Sequence, residues 1–278
     1  MLDGKQIFFI AGTHKSGTTW LQLLLNAHPD VSCSGEGHFP QLCFYLKQAL
    51  DEHDRVITRI NNGALKEIEG YRRLEQNDVA RIYATCISIV LAKQSEHKKA
   101  SAIGDKTPQN VRYLYALSAL FPAAKFIHIV RDGRDCATSV WFHNQRLTKM
   151  WNGRDRGLSF EDTAKGYAHL WVADLEKAKA FNDEKPGRMM RVRYEDLVAN
   201  VSALADLFRF LGVDSAEAAA CKERASFSKI IGRNPGQEDR SSFFRKGIVG
   251  DWRNHFSIEG EAAFREQAGA WLKELGYQ

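Results

Sequence analysis

Ile7-Phe8-Phe9-Ile10-Ala11 is apolar without interruption. A run that lacks polar alternation predicts a strand buried on both faces, as inside a parallel sheet. Phe126-Ile127-His128-Ile129-Val130 is apolar at nearly every position, and Met189–Arg193 is a third strand-like run. Weaker ones lie near Val31–Cys33 and Ser101–Ile103. Between them, apolar residues recur at helical spacing over 19–27, 40–50, 78–94, 110–120, 133–144, 161–181, 200–211, 216–224 and 260–275. Alternating strands and helices predict right-handed crossovers and a P-loop-like α/β fold, a doubly wound parallel sheet flanked by helices. Ligands of such sheets bind beyond the carboxyl ends of the strands. Gly12–Thr19, Asp105–Pro108, Arg131–Arg134 and Tyr194–Asp196 each follow a predicted strand. All four are expected to open onto one crevice.

Composition narrows the ligand more than the fold. The 278 residues allow one large α/β domain or two small ones. With no repeat and no linker rich in Pro, Gly or Ser, one domain over 1–278 is expected. Hydrophobic content of 44% and charged content of 26% are those of a soluble globule. The net charge of +5 suits an anionic ligand. The basic residues are dispersed, so no nucleic-acid partner is expected. The five cysteines are scattered without metal-ligand spacing, which predicts reduced thiols, no metal and a cytoplasmic location. No signal-peptide or membrane-span pattern is present, so no membrane partner is expected.

Three motifs carry candidate chemistry. In Gly12-Thr13-His14-Lys15-Ser16-Gly17-Thr18-Thr19 a strand enters a loop and then a helix. Backbone N–H groups and the helix dipole converge there on an anion. The glycines keep the spacing of a nucleotide-triphosphate loop, but Thr18 stands where that loop has lysine, and Lys15 lies inside the loop. In the second motif, Arg131-Asp132-Gly133-Arg134-Asp135, a buried strand ends in an arginine that can fork onto a phosphate. Ser139, eight residues on, can project to the same side. A local Arg131–Asp132 pair is the plainer alternative. The third, Arg245-Lys246-Gly247-Ile248-Val249-Gly250-Asp251-Trp252, suits a second phosphate or a basic surface turn.

Together these motifs resemble the sulfotransferases that use 3′-phosphoadenosine 5′-phosphosulfate (PAPS), over residues 7 to about 256. The resemblance implies that Lys15, Ser16, Gly17, Thr18, Thr19 and Trp20 form the 5′-phosphosulfate loop, with Lys15 at the bridging oxygen. It implies that Arg131 and Ser139 hold the 3′-phosphate, with Arg245, Lys246 and Gly247 as the C-terminal signature. Tyr194 and Phe227 fall at adenine-contact positions. Trp20 either packs at the helix start or contacts adenine. The family needs no metal and releases adenosine 3′,5′-bisphosphate.

The base is less direct. Cytosolic members use the histidine of a Lys-Thr-His segment, whereas this chain has Lys106-Thr107-Pro108. The segment from Ala27 to Gly35-Glu36 instead resembles the tyrosylprotein sulfotransferases, in which a Gly-Glu supplies the base. Glu36 is therefore the expected base and His38 its rival. In a third arrangement Glu36 orients the acceptor and His38 takes the proton. Glu36 would gain from a raised pKa in a dry pocket. Lys106 is expected as a second cation at the sulfuryl group, and His14 can touch sulfate or substrate.

The acceptor pocket is expected within 37–100 and 141–165. Phe39, Phe44, Tyr45, Trp141, Phe142, Trp151 and Phe160 are available there, with Thr148–Ser159 as a lid or a surface loop. The expected reaction moves a sulfuryl group to a hydroxyl, or else an amine, of a small-molecule acceptor with an apolar or aromatic body. A monomer or weak homodimer is expected, because the family's dimer motif is matched only loosely at Arg253, Ser257 and Ile258. The alternatives are a P-loop nucleotide kinase, which needs Gly-Lys-Ser/Thr and an acidic magnesium ligand, and a non-catalytic nucleotide- or polyanion-binding module.

Overall fold

The computed structural model describes residues 2, 4–150 and 157–278. Five strands form one sheet: β1 (Gln6–Ala11), β2 (Val31–Cys33), β3 (Ala102–Lys106), β4 (Lys125–Val130) and β5 (Met189–Arg193). Their order is β2-β3-β1-β4-β5. Every pairing is parallel, with Phe8 opposite Gly104 and Phe9 opposite Phe126. All the carboxyl ends therefore lie on one edge of the sheet, as expected of a doubly wound fold.

The helices are α1 (Thr18–Asn26), α2 (Phe39–Asn62), α3 (Gln76–Ser95), α4 (Leu114–Leu120), α5 (Gly133–Met150), α6 (Phe160–Glu184), α7 (Tyr194–Ala199), α8 (Val201–Leu211), α9 (Ala218–Arg224), α10 (Phe227–Ile231) and α11 (Ile258–Glu274). Side-chain alternation splits β1 between two cores. Phe8 and Ile10 pack with Leu21, Leu24 and Leu25 of α1 and Leu207 of α8. Phe9 and Ala11 face Ile87 and Leu91 of α3, Leu114 of α4 and Phe181 of α6. A third cluster joins α5, α6 and α11 through Cys136, Trp171 and Phe264.

Three departures from the sequence reading have physical reasons. The second helix runs on to Asn62 because Lys47–Asp51 and Glu52–Arg55 pairs support its exposed face, while only Phe39 of that helix is buried. Asp105 and Lys106 belong to β3 rather than to the loop after it, and both are buried. The short helices α7 and α10 have no long apolar period to reveal them. The expected residue Trp151 and half of the expected lid, residues 151–156, lie outside the described residues.

His128, in the middle of β4, is buried, and its Nδ1 has no hydrogen-bond partner. Burial, and then the nearby Arg191, lower its pKa from 6.5 to about 3. The unfolded chain therefore binds a proton at pH values where the folded chain does not. Stability is full above pH 6.5 and falls as the pH drops towards 3. Acidification from pH 7.5 to 5 is expected to cost about 2 kcal/mol through this residue. Urea unfolding of wild type and His128→Gln at both pH values checks this; an unchanged pH dependence in the variant would refute it.

Candidate active site

A cavity of about 460 Å³ opens at the carboxyl edge of the sheet. Its floor is the loop between β1 and α1. Gly17 caps α1 with φ 97°, and no side chain caps that helix. The first helical bond runs from the Leu21 N–H to the Gly17 carbonyl. The N–H groups before it lack an intrahelical acceptor and are available to an anion. A Cβ at Gly17 would lie 2.5 Å from Cδ2 of Tyr194, so glycine provides both the left-handed turn and room for that ring. Lys15 is held at φ 70°, which is unusual for a residue with a side chain and costs roughly 1–2 kcal/mol.

The cavity brings together Lys15, Gly17, Thr18, Thr19, Trp20, Glu36, Arg131, Ser139, Tyr194, Phe227, Arg245, Lys246 and Gly247. Ser16 is buried beneath it, with its Oγ unpartnered. The Lys15 ammonium lies 4.4 Å from the Phe243 ring centroid. Burial, and then Arg146 and Arg131, lower its pKa to about 8. The Arg131 guanidinium packs on the Tyr194 ring at 4.5 Å. It donates to the Ile248 carbonyl at 3.0 Å, and its buried Nε has no partner. Asp132 is the partner of Arg134, so the alternative local pair with Arg131 is not formed. Trp20 donates to the Ala225 carbonyl at 2.9 Å and packs edge-on against Tyr194.

The C-terminal signature is organised by a carboxylate that the sequence reading did not single out. Asp251 is ion-paired with Arg245 and, at 2.6 Å, with Lys246. It also accepts from Asn254 at 3.0 Å. Burial alone would raise its pKa; the bonds from Lys246, Arg245 and Asn254 outweigh that and hold it well below the usual carboxylate range. Asp135 accepts the Gly250 and Trp252 N–H groups at 2.8 and 2.9 Å, fastening this segment to α5.

At the mouth, Lys106 Nζ donates to Glu36 Oε1. Glu36 Oε2 lies 3.7 Å from His38 Nε2. The dry surroundings expected of Glu36 are absent: its side chain is 33% exposed and ion-paired. Lys106 does not line the cavity itself and reaches it only through Glu36. His38 is exposed and stands outside the lining.

The aromatics expected to form the acceptor wall do not line this cavity among the described residues. Among the described residues of 37–100 and 141–165, only His143 lines the cavity. Phe39 is buried against Phe9, Phe44 and Tyr45 are exposed on α2, and Trp141 packs on Phe160. Phe142 lies beneath the Arg245 guanidinium. The aromatic wall is instead Phe243 and Phe244, from the C-terminal segment. His14, expected near sulfate or substrate, lines the cavity; Gln109, His143 and Lys222 also line it and were not assigned to the pocket from sequence. His143 Nδ1 accepts from Arg146 at 3.2 Å, which leaves the ring proton on Nε2. Burial, and then Lys15, lower the His143 pKa to about 4, so this ring is neutral at pH 7. No cluster able to hold a metal occurs among the described residues. No helix described is long and apolar enough to cross a membrane.

A model of the sulfotransferase family matches residues 7–217, which leaves the Arg245-Lys246-Gly247 segment beyond it. Protein-tyrosine sulfotransferase 1 of Danio rerio is 33% identical over 208 residues, covering 74% of this chain and 53% of that protein. The protein-tyrosine sulfotransferase of Drosophila melanogaster is 27% identical over 209 residues, covering 74% and 38%. This chain thus spans about half the length of these relatives or less. A mouse sulfotransferase solved in complex with PAP superposes with a TM-score of 0.56 at 20% identity, covering 99% of this chain and 89% of that one. The expected small-molecule acceptor is corrected by these relatives, whose acceptor is a protein tyrosine. The match over three quarters of its length assigns this chain to the sulfotransferase family.

Proposed function

We propose that this protein is a PAPS-dependent sulfotransferase whose acceptor is the phenolic hydroxyl of a tyrosine in a polypeptide. One observation carries the reading: an uncapped helix N-terminus, Lys15, and the Arg131–Ser139 pair line a single cavity with Glu36 at its mouth. The donors fit the cosubstrate. Free N–H groups of α1 suit a 5′-phosphate, and the unpartnered Nε of Arg131, with Ser139, suits a 3′-phosphate. Tyr194, Trp20 and Phe227 offer faces for a base. PAPS supplies the sulfuryl group, which passes to the acceptor oxygen as its bond to the phosphate oxygen breaks.

The remaining work falls to the chain. Glu36 Oε2 accepts the phenolic proton, while Oε1 stays on Lys106. A phenol, with pKa of roughly 10, matches a carboxylate base better than an alkyl alcohol does. Lys15 places positive charge where negative charge grows, without reorganisation, while Lys106 holds Glu36. The kinase reading lacks its lysine, and Asp105 at the end of β3 is held by Gly37 and Asn110 and does not line the cavity. The test is incubation with PAPS and a tyrosine-containing peptide: a mass gain of one sulfuryl group on tyrosine is expected. Transfer confined to non-peptide hydroxyls would refute the acceptor, and no transfer to any hydroxyl would refute the activity.

Lys15 also predicts a pH dependence. Only its protonated form attracts phosphate, and its pKa of about 8 sets where that form is lost. Affinity for adenosine 3′,5′-bisphosphate is expected to hold between pH 7 and 8. Above that it falls by up to about tenfold per pH unit. Calorimetry across this range, with Lys15→Arg as the comparison, checks it. A flat wild-type profile would show that Lys15 does not contact the nucleotide.

A further inference from the structure

Glu36 sits on the bridge between β2 and α2, residues 34–38, and the end of β3 holds that bridge. The Lys106 N–H donates to the Gly35 carbonyl at 3.1 Å. Next to it, buried Asp105 accepts the Gly37 N–H at 2.6 Å through Oδ1. Its Oδ2 accepts from Asn110 Nδ2 at 2.9 Å. The same Asn110 amide donates to the Ile10 carbonyl at 3.1 Å, near the end of the strand that feeds the phosphate loop.

We propose that Asp105 is a positioning residue: its carboxylate ties the Glu36 bridge to the β1 strand and so sets where Glu36 stands relative to Lys15. The assignment rests on reading Glu36 as the base. Two features argue that Asp105 is more than core filling. Burial of a carboxylate is costly, and burial raises the pKa of this one. An apolar side chain would avoid that cost. A carboxylate is also the side chain that meets both donors. Asparagine there would present one acceptor and one amino group, and so oppose either Gly37 or Asn110. Asp105 does not line the cavity, so it acts through the bridge and not on substrate.

The test is Asp105→Asn, read in three ways. Amide exchange at Gly37 is expected to quicken. The kcat is expected to fall by about 10–100-fold, as for a small misplacement of a reacting group. Affinity for adenosine 3′,5′-bisphosphate is expected to stay unchanged. Unaltered Gly37 exchange, or nucleotide affinity falling in step with kcat, would overturn the assignment. Should this variant fail to fold, Gly37→Ala replaces it. Its Cβ would lie 2.3 Å from the Phe39 ring and 2.9 Å from Asp105 Oδ1, so the bridge must shift while the carboxylate remains. The same three readouts then decide. If the wild type binds no nucleotide, the PAPS reading falls, while Gly37 exchange still decides the role of Asp105.

Discussion

Lys15→Ala is expected to lower kcat by about 10²–10³-fold, the loss found when a preorganised charge or donor leaves a reacting centre. The residue is costly to keep. Its backbone is in the left-handed region, and its ammonium is crowded by Arg146 and Arg131, which with burial lower its pKa to about 8. A fold would not retain a strained, self-repelling lysine for packing. Its ammonium stands over the Phe243 ring, a contact worth about 0.5–1 kcal/mol at an open site. A growing negative charge in the cavity offsets both penalties, so the variant is expected to fold at least as stably as wild type. Steady-state kinetics with a thermal melt checks this. An unchanged kcat would remove Lys15 from the chemistry.

Glu36→Gln is expected to lower kcat by about 10²–10⁴-fold, the usual contribution of a general base. Nucleotide affinity is expected to be unchanged, because the phosphate donors lie on other elements. Glutamine preserves shape but leaves Lys106, only 6% exposed, without its carboxylate. A moderate loss of stability is therefore expected as well. His38→Asn separates the rivals. His38 is exposed and outside the cavity lining, so its loss is expected to change kcat little. An equal loss in both variants would favour the relay through His38.

The parts of the site that were legible in sequence are those whose chemistry needs contiguous residues. A phosphate loop must run strand, turn and helix without interruption, so Gly12 to Thr19 announces itself. Arg131, just after β4, and Ser139, on α5, lie eight residues apart on one continuous segment. The Glu36–Lys106 pair spans 70 residues and appears only once β2 and β3 pair. Asp105 and Asp135 act through backbone N–H groups 68 and 115 residues away and have no spacing to betray them. The acceptor wall was misread for another reason. The aromatics of α2 and α5 signal apolar surface, but not which surface, and they turn to the core, to each other or to solvent. The central strands β1 and β4 were plain because both faces of each are buried, leaving nearly uninterrupted apolar runs.

The most direct measurement is calorimetric titration with adenosine 3′,5′-bisphosphate, beside adenosine 5′-monophosphate and magnesium-ATP. Binding that requires the 3′-phosphate, and weakens sharply in Arg131→Ala, is the expected result. A preference for magnesium-ATP, or equal affinity with and without the 3′-phosphate, would contradict it.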